Sequence, residues 1–245
     1  MSERMKTAAL GGLVGAVVAV VVFAAAVALR VVPVASDTRL ESFLLSHPKL
    51  VLEMQSRAEA LVAEEARQAQ IATVKKIGLQ KFFDPKVAYV TGPANAKNTV
   101  VEFYDYNCSH CRNTAAVVKA FLHKHKADTR FAFIEFPIFG DASNTAARAS
   151  IAAHRQGDKF LDLHFGLMAE SGAIDSALLF QVGQKTGIDM TKLAADLNAP
   201  ETEKALLASY RLARAMKFNG TPMFILNGEV HEGEVTEANL KKLVK

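Results

Sequence analysis

The chain has 245 residues, enough for a sizeable core in one or two domains. Its net charge is +4, and the basic excess is scattered rather than interleaved with aromatics, which argues against a nucleic-acid binder. The one basic cluster, Lys119, His123, Lys124, His125 and Lys126, decorates the end of an expected helix, where cations favour the helix dipole.

Thr7 to Leu29 carries no charge and is flanked by Arg4 and Lys6 before and Arg30 after. At ~1.5 Å rise per residue such a run crosses a ~30 Å hydrocarbon core. An uncleaved anchor is the favoured expectation; a signal peptide cleaved near Ala26-Val27-Ala28 is the alternative. Arg4 and Lys6 keep the N-terminus cytoplasmic, so either reading exports the rest of the chain to an oxidising compartment. Gly11 and Gly15 form a weak helix-pairing signal within the run. Val31 to Asp37, with Pro33, reads as a linker, and Leu40 to Ser46 as a brief helix.

Pro48 suits a first helical position, and Lys49 to Ile77 contains no Gly or Pro. Val51, Met54, Ala58 and Leu61 follow 4-3 spacing, then the seam moves to Val62, Ala66 and Ala69. A long helix with a narrow apolar stripe pairs with another helix, so residues 37–81 are expected to be a helical stalk that self-associates.

Phe82 to Thr91 is a candidate edge strand, followed by a turn at Gly92-Pro93. Val100 to Tyr104 is a near-continuous apolar run with β-branched and aromatic residues, hence a central strand. Arg112 to Lys126 reads as a helix and Thr129 to Phe136 as the next strand, giving a β-α-β unit with a parallel pair. Residues 141–218 are almost entirely helical in pattern, with breaks near Gly157, Gly172, Gly187 and Pro200. Met223 to Leu226, a turn at Asn227-Gly228, Glu229 to His231 and a helix over Thr236 to Val244 complete the order. The fold class is α/β: β-α-β, a helical insertion, then β-β-α.

The only two cysteines stand as Cys108-Ser109-His110-Cys111, between that central strand and its helix. Cys108 falls at the helix N-terminus, where backbone N–H groups and the dipole favour a thiolate. The thiolate is the nucleophile of thiol–disulfide exchange, and Cys111 is placed to resolve a mixed disulfide. His110 can add a positive charge or a hydrogen bond. A structural disulfide and half of a zinc site are the competing readings; no further Cys or paired His completes four ligands. A dithiol relaying a soft metal such as copper is a further alternative. Glu102, in the apolar strand, costs several kcal/mol if it is charged and unpaired there. It is either an edge salt-bridge partner or a functional acid. Asp105 is expected to face solvent. Phe103, Tyr104 and Tyr106 are expected to be core or rim aromatics, and His154 and His164 packing residues.

Val101-Glu-Phe-Tyr-Asp-Tyr-Asn-Cys-Ser-His-Cys111, Phe136-Pro-Ile-Phe-Gly140, Ala146 to Ala153, Phe160-Leu-Asp-Leu-His164 and Gly220-Thr-Pro-Met-Phe224 occur in an order that resembles the DsbA-like family of exported disulfide oxidoreductases. The resemblance runs from about residue 82 to the C-terminus. It implies a thioredoxin fold with a helical insertion over 141–218. The N-terminal extension and Phe-Tyr-Asp-Tyr-Asn-Cys look like the ScsC branch, whose members trimerise through N-terminal helices and isomerise disulfides. The resemblance implies that Cys108 attacks, Cys111 resolves and His110 stabilises the reduced form. It implies that Glu102 takes the Cys111 proton, and that a cis Pro222 and Thr221 present backbone to a substrate chain. No cofactor is implied beyond the Cys108–Cys111 disulfide itself. The implied partners are unfolded or misfolded exported proteins with cysteines, a membrane redox partner and further copies of this chain, a trimer being favoured. The implied place is the periplasmic side of a bacterial inner membrane, anchored by residues 7–29, or the soluble periplasm after cleavage.

Overall fold

The computed structural model describes residues 37–242. The expected anchor at 7–29 lies outside them, and among the described residues no helix is long and apolar enough to cross a membrane. Contacts divide the chain into two compact units, one ending at Ala63 and the other beginning at Glu64. The first unit holds α1 (Asp37–Ser46) and the start of α2 (Pro48–Ile77). Leu40, Phe43, Leu45, Leu52, Met54, Leu61 and Val62 are all exposed there. The last turns of α2 belong to the second unit, where Ile71 and Val74 are buried.

The second unit is built on a five-stranded sheet of order β1-β3-β2-β4-β5. Its strands are β1 (Tyr89–Thr91), β2 (Asn98–Tyr104), β3 (Thr129–Glu135), β4 (Met223–Leu226) and β5 (Glu229–Glu232). β2 and β3 are parallel, as the crossover helix α3 (Ser109–His125) between them requires, and the other pairs are antiparallel. All seven residues of β2 are buried, which is why this segment reads as an apolar run rather than an alternation. The expected edge strand over 82–91 is shorter than its pattern. Leu79–Phe83 is a 3-10 helix that sends Phe82 and Phe83 into the core, and Pro85 offers no N–H to a ladder. Asp84 O then accepts from Val87 N and Ala88 N, so pairing begins only at Tyr89.

Alternation along β2 sends Val101 and Phe103 to one face of the sheet, where they pack with Ala132, Ile134, Met223, Ile225 and Phe218. Val100 and Tyr104 face the other layer, with Phe131, Phe133, Phe224 and α3. Glu102 shares that parity, and its cross-strand partners are Phe133 and Phe224. Of the insertion, α4 (Asp141–Ala153), α5 (Lys159–Met168), α6 (Ser176–Lys185) and α7 (Met190–Leu197) pack on this second face, whereas α8 (Pro200–Ala215) meets α4 through Leu206 and turns Ala213 to the face of Val101 and Phe103. The Asn227-Gly228 turn has positive φ at both residues, the geometry that a two-residue hairpin demands. The closing helix α9 is shorter than expected, Glu237–Lys241, and starts from a Thr236–Asn239 capping box. The architecture is the expected thioredoxin fold with a helical insertion.

Candidate active site

β2 ends at Tyr104, and a tight turn carries the chain to α3. Asp105 Oδ1 accepts from Asn107 N at 2.8 Å, and Asp105 O accepts from Cys108 N at 3.1 Å. Cys108 is the extended N-cap of α3, and Arg112 N donates to its carbonyl at 3.2 Å, the first helical bond. Cys111 thus lies one turn into the helix, on its buried stripe with Ala115, Val118 and Leu122. The structure corrects the expectation for Asp105. It is only 1% exposed, because its Oδ2 also accepts from Ile138 N at 2.7 Å and Phe139 N at 3.2 Å. A carboxylate that satisfies three backbone donors is a structural brace and has no need of water. The segment it holds exposes Ile138 and Phe139, two apolar side chains beside the cysteine turn.

The two sulfurs are unlike. Cys108 is held at a pKa of about 5, first by the hydrogen bond from the Cys111 thiol, then by Thr221 and the backbone N–H groups of Cys111 and His110; burial opposes this. Cys111 is fully buried, and burial first, then its hydrogen bond to Cys108, drives its thiol far above the ordinary range. One sulfur is therefore a thiolate at neutral pH and the other a proton store. Cys108 itself is only 2% exposed, since the loop before β4 covers it. Within that loop the Thr221–Pro222 bond is cis, and Thr221 O lies 3.1 Å from Cys108 Sγ.

Glu102 is 2% exposed, and its Oε2 has no hydrogen-bond partner. Burial alone raises its pKa to about 8. Its position in the central strand removes the salt-bridge reading: no ion pair to it occurs among the described residues. It faces the layer that holds Cys111, and its charge adds a small upward push to that thiol.

His110 sits on the exposed side of the same turn, and its Nδ1 is 2.7 Å from Glu234 Oε1. Asn113 Nδ2 donates to the same oxygen at 2.9 Å. Nothing local in the sequence marks Glu234; only the fold brings it more than a hundred residues back to the cysteines. A second polar group also escaped the sequence reading. Tyr104, Tyr106, Glu135, Ser150 and His164 form a buried network below the turn, with Tyr106 Oη 3.0 Å from both Ser150 Oγ and His164 Nδ1. His164 is thus a bonding as well as a packing residue. Asp105 and Asn107 were within reach of the sequence, because Asp-x-Asn before a helix is a side-chain turn signal.

A thioredoxin fold with one activated and one buried cysteine at the start of the first crossover helix defines the class of protein. Residues 86–245 match the family described as thioredoxin, and the chain belongs to that family. With its inserted helices it is a DsbA-like member. It is 36% identical to a thioredoxin-like oxidoreductase from Silicibacter pomeroyi DSS-3, over 66% of this chain and 92% of that one, with a TM-score of 0.61. BcfH from Salmonella enterica Typhimurium is 27% identical over 91% of this chain and 98% of its own, with a TM-score of 0.70. ScsC of Proteus mirabilis in a compact conformation shares the fold at 23% identity, over 84% of this chain and 94% of its own, with a TM-score of 0.63. Among curated proteins, a Na(+)/H(+) antiporter NhaA from Salinispora tropica is 27% identical over 70% of this chain. The match spans about a quarter of that relative, 26% of its length.

Proposed function

We propose that the protein is an exported thiol–disulfide oxidoreductase acting on unfolded or misfolded proteins through Cys108 and Cys111. The observation that supports this best is the split between the two sulfurs, one depressed to about 5 and one buried and raised. In the reductive half-reaction the Cys108 thiolate attacks one sulfur of a substrate disulfide. The substrate S–S bond breaks, a mixed disulfide forms, and a substrate thiolate leaves. Glu102, once ionised, takes the Cys111 proton, and the new thiolate attacks Cys108 Sγ. The mixed bond breaks, the second substrate thiolate leaves, and two electrons have passed to the substrate. The reverse sequence oxidises a substrate dithiol. When a substrate's own thiolate breaks the mixed disulfide instead, the result is isomerisation with no net electron transfer. Ionised Cys108 offers no proton to Thr221 O, so that carbonyl is free to accept a backbone N–H from an extended substrate. Exposed Ile138 and Phe139 suit the apolar segments that unfolded chains display.

The proposal extends to self-association through the exposed apolar residues of α1 and α2, a trimer being favoured, and to isomerisation as its consequence. Several dithiols around one substrate raise their local concentration and hinder a membrane oxidase. Family membership and the likeness to a thioredoxin-like oxidoreductase support the chemistry. A soft-metal relay would use the dithiol and leave Glu102 and Thr221 idle. The test is turnover of a scrambled-disulfide protein in a glutathione buffer, with insulin-disulfide reduction alongside. Recovery of native activity that depends on Cys108 is expected; rates equal to buffer alone in both assays sink the reading.

A further inference from the structure

The turn between β5 and α9 is fastened at both ends to the reacting elements. Gly233 N donates to Pro222 O at 3.0 Å, on the loop that covers Cys108. Two residues later, Val235 N donates to Thr114 Oγ1 and Val235 O accepts from it, each at 3.1 Å, on the helix that begins at Cys108. Glu234 lies between these anchors, and its Oε1 takes both His110 Nδ1 and Asn113 Nδ2. The carboxylate is therefore delivered to the cysteine turn by the scaffold, not by a free side chain that happens to fold over it.

We propose that Glu234 is a positioning residue for thiol–disulfide exchange: its carboxylate, held against α3 and the proline loop together, keeps the His110 ring cationic beside Cys108 through neutral pH. The inference rests on the exchange chemistry proposed above and names a residue that acts on it through His110. The charged groups facing His110 are few. Glu234 comes from the β5–α9 turn and Cys108 from its own turn, and both raise its pKa, Glu234 first. Arg112 is directed away, its Nε donating to Tyr106 O at 2.8 Å, and the His231 ring is engaged on Glu234 O at 3.0 Å.

The consequence follows from where each group titrates. At pH 5.5 an ordinary histidine is already mostly protonated, so Glu234 adds little. At pH 8 an ordinary histidine is mostly neutral, and the carboxylate enlarges the share of His110 that stays cationic beside the Cys108 thiolate. Glu234 thus extends, toward higher pH, the range in which the reduced form is stabilised and the disulfide is oxidising. The pair is largely exposed, so the effect has the size of a surface ion pair.

Glu234→Gln tests this, because an amide still accepts from Asn113 but carries no charge. The His110 ring is followed by NMR against pH in the reduced and disulfide forms, and the glutathione equilibrium is measured at pH 5.5 and pH 8. The expected result is a lower His110 midpoint in Glu234→Gln. The disulfide should also be about two- to fivefold less oxidising at pH 8 than wild type, the scale of an exposed charge pair, with little change at pH 5.5. In a His110→Ala background the same substitution should have no effect at either pH. An unchanged His110 midpoint overturns the proposal. So does an equal effect of Glu234→Gln with and without His110, which would mean that the carboxylate acts on Cys108 directly. A wild-type protein without exchange activity sinks the functional reading instead, and the His110 titration still decides whether Glu234 holds the ring's charge.

Discussion

At the scale of single residues, the site is a set of deliberately mismatched acids. Thiolate absorbance or alkylation rate against pH is expected to give a Cys108 midpoint near 5, and a midpoint at the free-cysteine value of ~8.5 would remove it as the nucleophile. Cys108→Ser should abolish exchange, and Cys111→Ser should accumulate mixed disulfides that are visible on non-reducing gels. Glu102 makes a sharper prediction, since burial raises its pKa to about 8. A carboxyl whose folded pKa is raised stabilises the fold fully below its unfolded value near 4.3, and that stability is lost as pH climbs toward 8. Glu102→Gln should therefore leave stability at pH 4 nearly unchanged and raise it by on the order of 4 kcal/mol at pH 8, read by urea unfolding. Wild-type mixed-disulfide resolution is expected to rise through pH 8, and the same substitution should flatten that rise. Wild-type resolution rates at every pH would make Glu102 structural. Both cysteines, His110, Glu102 and Thr221-Pro222 were legible because each sits in a short recognisable string. Asp105 was misjudged because its Oδ2 partners, Ile138 N and Phe139 N, arrive from beyond β3.

Elements carry the next level of the argument. The turn before Cys108 is bonded to α4 and α5 through Tyr106, and to the end of β3 through Tyr104 and Glu135. Tyr106→Phe removes one hydroxyl, takes the partner from His164 Nδ1 and leaves Ser150 Oγ with its 3.2 Å contact to Tyr104 Oη, at a cost of about 1–3 kcal/mol. Denaturant unfolding measures this, and a loss below experimental error would show that the network is slack. The parallel β2–β3 pair and the Asn227-Gly228 hairpin were readable because a crossover helix and a two-residue turn each leave one solution. The short β1 was not, because the pattern of Phe82 to Thr91 suits a strand, and only the Asp84-Pro85 turn decides otherwise. Gly92 shows how tightly β1 is then held: φ is +86°, and a Cβ would stand 2.2 Å from Thr129 O. Neither fact is visible in a lone glycine.

At the scale of the whole molecule, pH and assembly are the two tests. His164 is buried and His154 half-buried, and desolvation depresses each to a pKa of about 3. A histidine with a lowered folded pKa adds stability above its unfolded value near 6.5, and that stability is lost as pH falls toward 3. Glu102 and Glu135, both raised by burial, lose stability as pH climbs from about 4.3, so the carboxyls and the rings oppose each other up to about pH 6.5 and stability should fall above it. A thermal midpoint that keeps rising from pH 6.5 to pH 8 would contradict this. Light scattering on residues 37–245 is expected to report an oligomer, and a monomer at micromolar concentration would end the stalk proposal. The truncated control should begin at Glu64 rather than further on, because Ile71 and Val74 belong to the core of the second unit. The exposed Val51, Met54, Leu61 and Val62 of α2 were legible as a stripe, whereas α1 was legible only as a brief helix; what covers their apolar residues is a matter for that measurement.

A disulfide is symmetrical as a bond, but between Cys108 and Cys111 it would be lopsided as a doorway. One sulfur shows a sliver of surface and the other shows none. A visiting thiolate could strike only the outer sulfur, so the inner one would always be the leaving group. On the exchange chemistry proposed above, the protein would behave as a turnstile: traffic passes either way, but only in single file and through the same arm. Widening that gap by thinning the loop over Cys108, rather than altering either thiol, is the way to let an outside reductant reach the inner sulfur and spoil the order of events.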